Sequence, residues 1–420
     1  MFSHGLSLDQ APPLSVIMRF FLTIPFFGVL AAFGILFADV QNLGNWDIPQ
    51  TVAIVHLLLI GVAAMAMIGA LFQMLPVLAG AAIAEPLYHA RWTHLLLIIG
   101  TLMITAAFYF NTYIFMHPAV PLLIGSFGFI IYLMLSKLAA VENKTPSVVG
   151  MMVSLSSLGA GLLLALILTA IFMGADFGME PLQLRSLHLR FMLAGWIGTL
   201  VMAVSFQVIE MFYVTPPYPK FVRSFFPLGV LFSLLLYTIA IFADSVIASV
   251  ADVMLALLFL CFSLVTLRRL MQRKRPVADA TVWLWRTAMI SLLLSSLSAI
   301  LHIVAGIDGA VHFFALLFGY FVLSVIFAMS YKIVPFLVWF HLNAKGVLET
   351  PLMGDILPAK AATLHLWLHW VLGVCGLFLL LTPYAYKGIA LLLGAGLIIY
   401  GVNILRALKI YNSLKDKGLL

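Results

Sequence analysis

Long apolar stretches, separated by short polar connections, follow one another along the whole chain. Twelve of them have the length of about 20 residues that a helix needs to cross a bilayer. They lie near residues 14–38, 50–83, 92–112, 119–140, 147–173, 182–214, 222–243, 246–270, 282–306, 307–341, 361–382 and 386–411. The pattern predicts an all-α, polytopic membrane protein with twelve transmembrane helices.

The second, sixth and tenth stretches share one layout. Each has a histidine near its start, then glycine, then an aromatic residue, a polar residue, two aliphatic residues and a proline or glutamate. The three sets are His56, Gly61, Gly69 and 72–76; His188, Gly195, Gly198 and 206–210; His312, Gly319 and 331–335. This recurrence predicts one transmembrane domain of three four-helix repeats, covering 1–140, 141–275 and 276–420. The glycines either allow close helix packing or let a flat macrocycle lie against the backbone.

Composition and charge agree with a membrane location. The chain is 64% hydrophobic and 9% charged, whereas soluble domains carry about 25% charged residues. The net charge of +7 comes from Lys and Arg residues that fall almost wholly on the side of the N-terminus in the twelve-helix topology. By the positive-inside rule, both termini are predicted to be cytoplasmic. The basic charge therefore reflects topology, and we expect the lipid bilayer, not nucleic acid, as the partner.

Four histidines are predicted to lie together toward the outer side of the membrane. His56, His188 and His312 stand near the outer ends of their helices, and His302 lies near the outer end of the ninth. A histidine within a membrane span is costly and marks a functional site by default. Two neutral imidazoles on opposing helices can ligate heme iron from both faces, and imidazole also suits copper. For any one of them, an interfacial or hydrogen-bonded imidazole is the alternative.

Two further sets of polar residues are candidates. His365 and His369 are four residues apart, on one helix face. They are either a metal pair or an inner heme contact, or they belong to a helix face at the cytoplasmic interface near Lys360. We favour the interfacial face.

Glu210 and Lys332 are interpreted as the deepest charged residues. They either form an ion pair or line a proton or anion path. Gln73 and Gln207 complete this predicted polar layer.

The second helix resembles a known family. The run His56-x4-Gly61-x7-Gly69-x6-Pro76-x3-Gly80 looks like the first conserved segment of the NnrS family of twelve-helix proteins, which are linked to nitric oxide and nitrosative stress. That family is similar in turn to subunit I of heme-copper oxidases. The resemblance implies b-type heme with His56 and His312 as axial ligands. It places His188 at a second metal site, with copper possible, and leaves His302 in reserve.

The sequence also departs from these families. The tenth helix has no His-x-His, and the seventh carries Arg223 and Pro227 where the oxidases have a His-His pair. Leu78-Ala79 replaces the Trp-Thr of the usual NnrS segment. These departures argue against oxygen reduction by the standard oxidase mechanism. If the chain is an enzyme, the resemblance implies a heme-dependent oxidoreductase.

The sequence therefore predicts a heme-binding protein of the plasma membrane, the inner membrane if the source is bacterial. Its expected role is nitric oxide or nitrosative-stress handling, or related redox chemistry, with other membrane redox or assembly subunits as possible partners. Two alternatives stay open. A twelve-helix secondary transporter would use the Glu/Lys polar layer, and a non-catalytic assembly subunit would use its histidines to contact a partner.

Overall fold

The computed structural model describes residues 10–39, 43–243, 245–275, 277–347, 350–379 and 382–416. These residues form helices and connecting turns, with no strand among them. Twelve helices are long and apolar enough to span a membrane, which confirms the predicted class. They are α1 Leu14–Phe37, α2 Pro49–Ala79, α3 Pro86–Tyr109, α4 Tyr113–Ala140, α5 Pro146–Phe172, α6 Pro181–Tyr213, α7 Lys220–Ala240, α8 Val246–Met271, α9 Ala280–Ala305, α10 Gly309–Ala344, α11 Ala359–Phe378 and α12 Tyr386–Leu414. Both chain ends lie outside the described residues.

Nine helices form a closed ring around the other three. Following the ring, α1 contacts α3, then come α4, α5, α7, α8, α9, α11 and α12, which contacts α1 again. The inner helices α2, α6 and α10 are the longest. Residues in their most apolar windows are 67%, 67% and 56% buried, against 22–44% in the ring helices. The inner helices therefore form the core of the bundle.

The outward faces of the ring helices are apolar. Large exposed hydrophobic side chains occur on every side of the ring, among them Leu163, Phe225, Leu257 and Val374. In water such a surface would be unfavourable, whereas in a membrane it faces lipid tails. The helical backbone satisfies its own hydrogen bonds, which is what a bilayer requires of any segment that spans it. The lipid bilayer is thus the partner that this surface fits.

The helices α2 and α6 contain the same irregularity. Each begins as an α-helix and passes into eight residues of π-helix, Leu57–Ala64 in α2 and Phe191–Gly198 in α6. Each then continues as fifteen residues of α-helix and ends at a left-handed residue, Gly80 or Val214. The helix α10 is α-helical throughout. The division into three repeats stays a prediction, since only two inner helices share this element.

The π-helices set a register that differs from the one predicted. When the two π-helices are aligned, Gly61 matches Gly195 and Gln73 matches Gln207. The residue of α6 that matches His56 is then Arg190, not His188. The expected equivalence of the two histidines is therefore wrong by two residues. The interval from histidine to glycine is five residues in α2 and seven in α6, so the two histidines cannot match when the π-helices are aligned.

The glycines of the inner helices serve mainly in packing. A Cβ atom added to Gly61 would lie 2.4 Å from Cγ of Phe27 in α1, and one added to Gly195 would lie 2.6 Å from Cβ of Ser157 in α5. Both glycines thus allow close helix–helix approach. Gly319 in α10 differs, because a Cβ atom there would meet nothing within 4 Å. Of these three, only Gly319 leaves open space beside the backbone.

Candidate heme-binding site

Three inner helices begin at the same side of the bundle. Arg185 near the start of α6 forms an ion pair with Asp47 before α2, with 2.5 Å between Nη1 and Oδ1. At the start of α10, Cδ2 of His312 lies 3.8 Å from the position that a Cβ atom on Gly44 would take. We call this end of the bundle the histidine side, because it carries His56, His188, His302 and His312.

His56 lies immediately before the π-helix of α2. Its Nδ1 is 2.8 Å from the carbonyl oxygen of Val52, one turn earlier. A carbonyl oxygen only accepts hydrogen bonds, so Nδ1 carries the proton and Nε2 keeps its lone pair. The half-buried ring stacks on Phe108 of α3, with 5.9 Å between ring centroids. The surroundings therefore fix both the tautomer and the orientation of this imidazole.

His188 is held in the same way, although its acceptor lies on another helix. Its Nδ1 is 2.9 Å from the carbonyl oxygen of Gly161 in α5, so its Nε2 also keeps the lone pair. The half-buried imidazole of His188 lies on the histidine side, as that of His56 does. One histidine from α2 and one from α6 thus present an unprotonated Nε2 at the same end of the bundle.

His302 and His312 are less enclosed. His302 points its Nδ1 at the carbonyl oxygen of Ile307, 3.2 Å away in the turn after α9. His312 is exposed at the first turn of α10, and its ring makes no hydrogen bond with the residues that the structure describes. Three of the four predicted histidines therefore carry the proton on Nδ1, and for His312 no hydrogen bond within the described residues selects a tautomer.

These residues fit the chemistry of heme ligation. Histidines that bind a metal ordinarily donate the second ring N–H to a carbonyl or carboxylate, which fixes the tautomer and makes the ligand more basic. His56 and His188 meet this condition, and two imidazoles complete the axial set of a bis-histidine heme. Within the described part of the chain, no cluster of three or more His, Cys, Asp or Glu residues could hold a metal ion. A copper site with three such ligands is not assembled there.

A cavity between α2, α6 and α10 is the wrong place for a macrocycle. Its volume is about 80 Å³, and its lining is almost wholly apolar, with Ala70, Val204, Trp285 and Ile326 among the residues. Pockets for organic ligands measure about 300–1,000 Å³. The half-buried residues 58–60 and 192–194 of the π-helices lie nearer the histidine side. They are the better surface against which to place a heme.

The predicted polar layer does not form. Glu210 accepts a hydrogen bond from the backbone N–H of Tyr218, 2.8 Å away in the connection after α6. Lys332 binds Asp279, with 2.6 Å between Nζ and Oδ2, at the residue that caps the start of α9. The predicted ion pair between Glu210 and Lys332 is therefore wrong: Glu210 lies three residues before the end of α6, and Lys332 lies beside the start of α9.

The two glutamines of that layer also differ from each other. Gln73 is 2% exposed, and its Oε1 has no hydrogen-bond partner within the described residues. Gln207, at the same register position of α6, is half-buried. They occupy matching places along their helices without a shared polar contact.

A charged pair inside the spans was missed by the sequence analysis. Arg190 binds Asp252 of α8 through two hydrogen bonds, Nε–Oδ1 at 2.6 Å and Nη2–Oδ2 at 2.5 Å. The guanidinium also lies over the ring of Tyr237 in α7, 3.9 Å from its centroid. The available signal was Asp252 itself, since an acidic residue inside an apolar stretch needs a partner.

His365 and His369 lie in the interior, so the favoured interpretation of an interfacial face is wrong. They are 1% and 2% exposed, and α11 turns them toward α10. Nδ1 of His365 is 2.6 Å from the hydroxyl of Tyr331, and Nε2 of His369 is 2.7 Å from the hydroxyl of Ser324. The reason for the error is helix rotation, which the evenly apolar sequence of α11 does not reveal.

Comparisons with known proteins give no family. No protein-family model and no curated protein matches the chain. The resemblance to the NnrS family therefore stays a prediction that depends on the motif in α2.

Proposed function

We propose that the protein is a heme-binding integral membrane protein in which His56 and His188 are the axial ligands of a b-type heme. One observation supports this most: both imidazoles hold Nδ1 against a backbone carbonyl and leave Nε2 unprotonated. They come from different inner helices and lie at the same end of the bundle. His312 and His302 are reserve ligands on the same side of the bundle.

The π-helices beside these histidines support the same proposal. π-helical segments cost hydrogen-bond geometry and are found frequently at functional sites. Leu57–Ala64 follows His56 directly, and Phe191–Gly198 begins three residues after His188. A heme held here by two histidines would supply one-electron chemistry. The protein would supply the ligands, their orientation and an apolar surrounding that tunes the iron's potential.

The wider role follows from the family resemblance. We propose a function in nitric oxide or nitrosative-stress handling, or in related redox chemistry, at the plasma membrane with both termini cytoplasmic. Membrane redox or assembly subunits would be its partners. The transporter alternative has less support, because Glu210 and Lys332, which it needs as a layer, each bind a different residue.

An optical spectrum of the purified protein tests heme binding. The full chain is produced in cells supplied with heme, purified in detergent and reduced with dithionite. We expect a Soret band and a sharp α band typical of low-spin bis-imidazole heme. The heme content per protein is measured as the pyridine hemochrome. Preparations that fold and yet carry no heme would overturn the proposal and favour the transporter or the assembly subunit.

Alanine variants test the ligand pair. We expect His56→Ala and His188→Ala each to abolish the low-spin α band, and His117→Ala, an exposed histidine at the start of α4, to leave it unchanged. If His56→Ala and His312→Ala remove the band while His188→Ala does not, the ligands are the pair implied by the family resemblance. Bands unaffected by all four variants would refute the site while leaving the fold intact.

A further inference from the structure

The buried histidines of α11 form a second site, separate from the one assigned to heme. Tyr331 fixes the protonation of His365. The hydroxyl of Tyr331 accepts a hydrogen bond from Nδ2 of Asn403 at 2.9 Å and lies 2.6 Å from Nδ1 of His365. A phenol has one hydrogen to donate, and within the described residues Nδ1 is the acceptor in reach. His365 therefore carries its own proton on Nε2.

Ser324 fixes the protonation of His369 by accepting a hydrogen bond, whereas Tyr331 donates one to His365. Its hydroxyl donates to the carbonyl oxygen of Tyr320 at 2.7 Å, so it accepts from Nε2 of His369, also at 2.7 Å. Nδ1 of His369 thus keeps its lone pair. The ring of Tyr320 stacks on this imidazole with 4.3 Å between centroids and 14° between planes. The stacking fixes the plane of the ring, and the bond to Ser324 fixes which nitrogen faces that hydroxyl.

Each imidazole is left with one buried nitrogen that has no partner among the described residues. In His365 that nitrogen is Nε2, which donates, and in His369 it is Nδ1, which accepts. The two residues lie one turn apart on the same face of α11. A metal ion would need a lone pair from both rings, and His365 presents a proton. A molecule that both accepts and donates a hydrogen bond satisfies the two atoms together.

We propose that a water molecule, or another small neutral molecule of the same hydrogen-bonding capacity, bridges Nε2 of His365 and Nδ1 of His369. The bridge completes a chain in which every bond points the same way. It runs from Asn403 through Tyr331 and His365 to the bridging molecule, and on to His369, Ser324 and the Tyr320 carbonyl. Chains of this kind strengthen their members mutually, and buried water that satisfies polar groups is part of a protein's structure.

The space for the bridge lies beside α12. A Cβ atom on Gly396 would lie 3.5 Å from Nε2 of His365, so the glycine keeps the volume next to that N–H open. Gly394, on the same helix, faces α1 instead, 3.4 Å from Cβ of Ala32. Alanine at 396 would enter the proposed site, whereas alanine at 394 would not. The inference does not rest on the heme proposal.

Solid-state NMR of the full chain, labelled with ¹⁵N-histidine and reconstituted in lipid bilayers, tests the bridge. We expect both imidazoles to be neutral and protonated on Nε2, and magnetisation from water to reach the Nε2–H of His365. Assignment uses His365→Gln and His369→Gln. Gly396→Ala should reduce the water transfer severalfold, and the matched control Gly394→Ala should leave it unchanged.

Several results would overturn the proposal. A protonated Nδ1 on His369, or no water transfer to His365 in the wild type, contradicts the bridge directly. Transfer that persists in both glycine variants contradicts its position. Stoichiometric zinc binding that His365→Gln and His369→Gln both abolish would assign the site to a metal. Because the wild-type spectrum decides the first point, a poorly folded variant does not remove the test.

Discussion

Arg190 and Asp252 form a two-bonded ion pair between α6 and α8, with N–O distances of 2.6 and 2.5 Å. The arginine is the last residue before the π-helix of α6, and it also donates to the backbone carbonyl of Ser186 at 3.0 Å. The pair thus anchors the irregular segment next to His188. Its side chains are 27% and 14% exposed, so most of it is removed from water.

We expect Asp252→Ala to destabilise the protein strongly, because it leaves the guanidinium without its anion inside the bundle. Breaking a buried pair costs about 3–5 kcal/mol, and the partial exposure of Arg190 favours the lower end. Thermal unfolding in detergent, followed by tryptophan fluorescence, measures the change. The matched control is Asp47→Ala, which removes the carboxylate from Arg185 in a pair whose side chains are 34% and 77% exposed.

For that exposed pair we expect a loss below about 1 kcal/mol. Equal unfolding temperatures for Asp252→Ala and Asp47→Ala would show that the α6–α8 pair contributes no more than a surface contact.

The bond between Asp279 and Lys332 predicts a dependence of stability on pH. Burial by itself raises the pKa of Asp279, but the hydrogen bond and charge of Lys332 outweigh it and hold the pKa below its ordinary value. A carboxyl whose pKa is lowered by folding stabilises the protein above the unfolded pKa, which is about 4, and loses that contribution as pH falls through the folded value.

Asp279→Asn checks this prediction, since asparagine keeps the capping geometry at the start of α9 and removes the charge. We expect the wild type to unfold at a higher temperature than the variant from pH 5 upward. The difference should shrink below about pH 4. Because the Asp279 side chain is 50% exposed, the effect is expected to be modest. A difference that is constant down to pH 3 would contradict it.

Two glycines of the inner helices, Gly61 and Gly319, predict opposite effects of substitution by alanine. Alanine at Gly61 places a Cβ 2.5 Å from Cβ of Phe27, an atom too close to the backbone to move aside easily. We expect overpacking to cost about 1–3 kcal/mol. Gly319→Ala meets open space and should be neutral or stabilising by up to about 1 kcal/mol, through higher helix propensity. Unfolding temperatures in detergent compare the two, and a tolerated Gly61→Ala would refute the close α1–α2 contact.

The helices themselves could be predicted with small errors at their ends. The ninth was expected at 282–306 and spans Ala280–Ala305, while the second was expected to reach 83 and ends at Ala79. The second stops early because Gly80 adopts a left-handed conformation, with φ of 65°. That conformation depends on one residue, whereas the apolar signal averages over many.

The candidate site was predicted in part. The grouping of four histidines at one end followed from helix direction, which alternates along the chain. Their partners did not follow, because the acceptor of His188 is a carbonyl on α5 and the partner of Lys332 is the cap of α9. Such contacts depend on how far each helix is rotated and shifted against its neighbours.

The sequence by itself determined twelve helices long and apolar enough to span a membrane, since length and apolarity are properties of each segment alone. Tertiary structure alone decided which helices lie inside the ring, which nitrogen of His56 and His188 carries the proton, and which face of α11 is buried. The physical reason is that segments apolar on all sides carry no periodic signal of their orientation. Packing of small residues and hydrogen bonds between helices set that orientation instead.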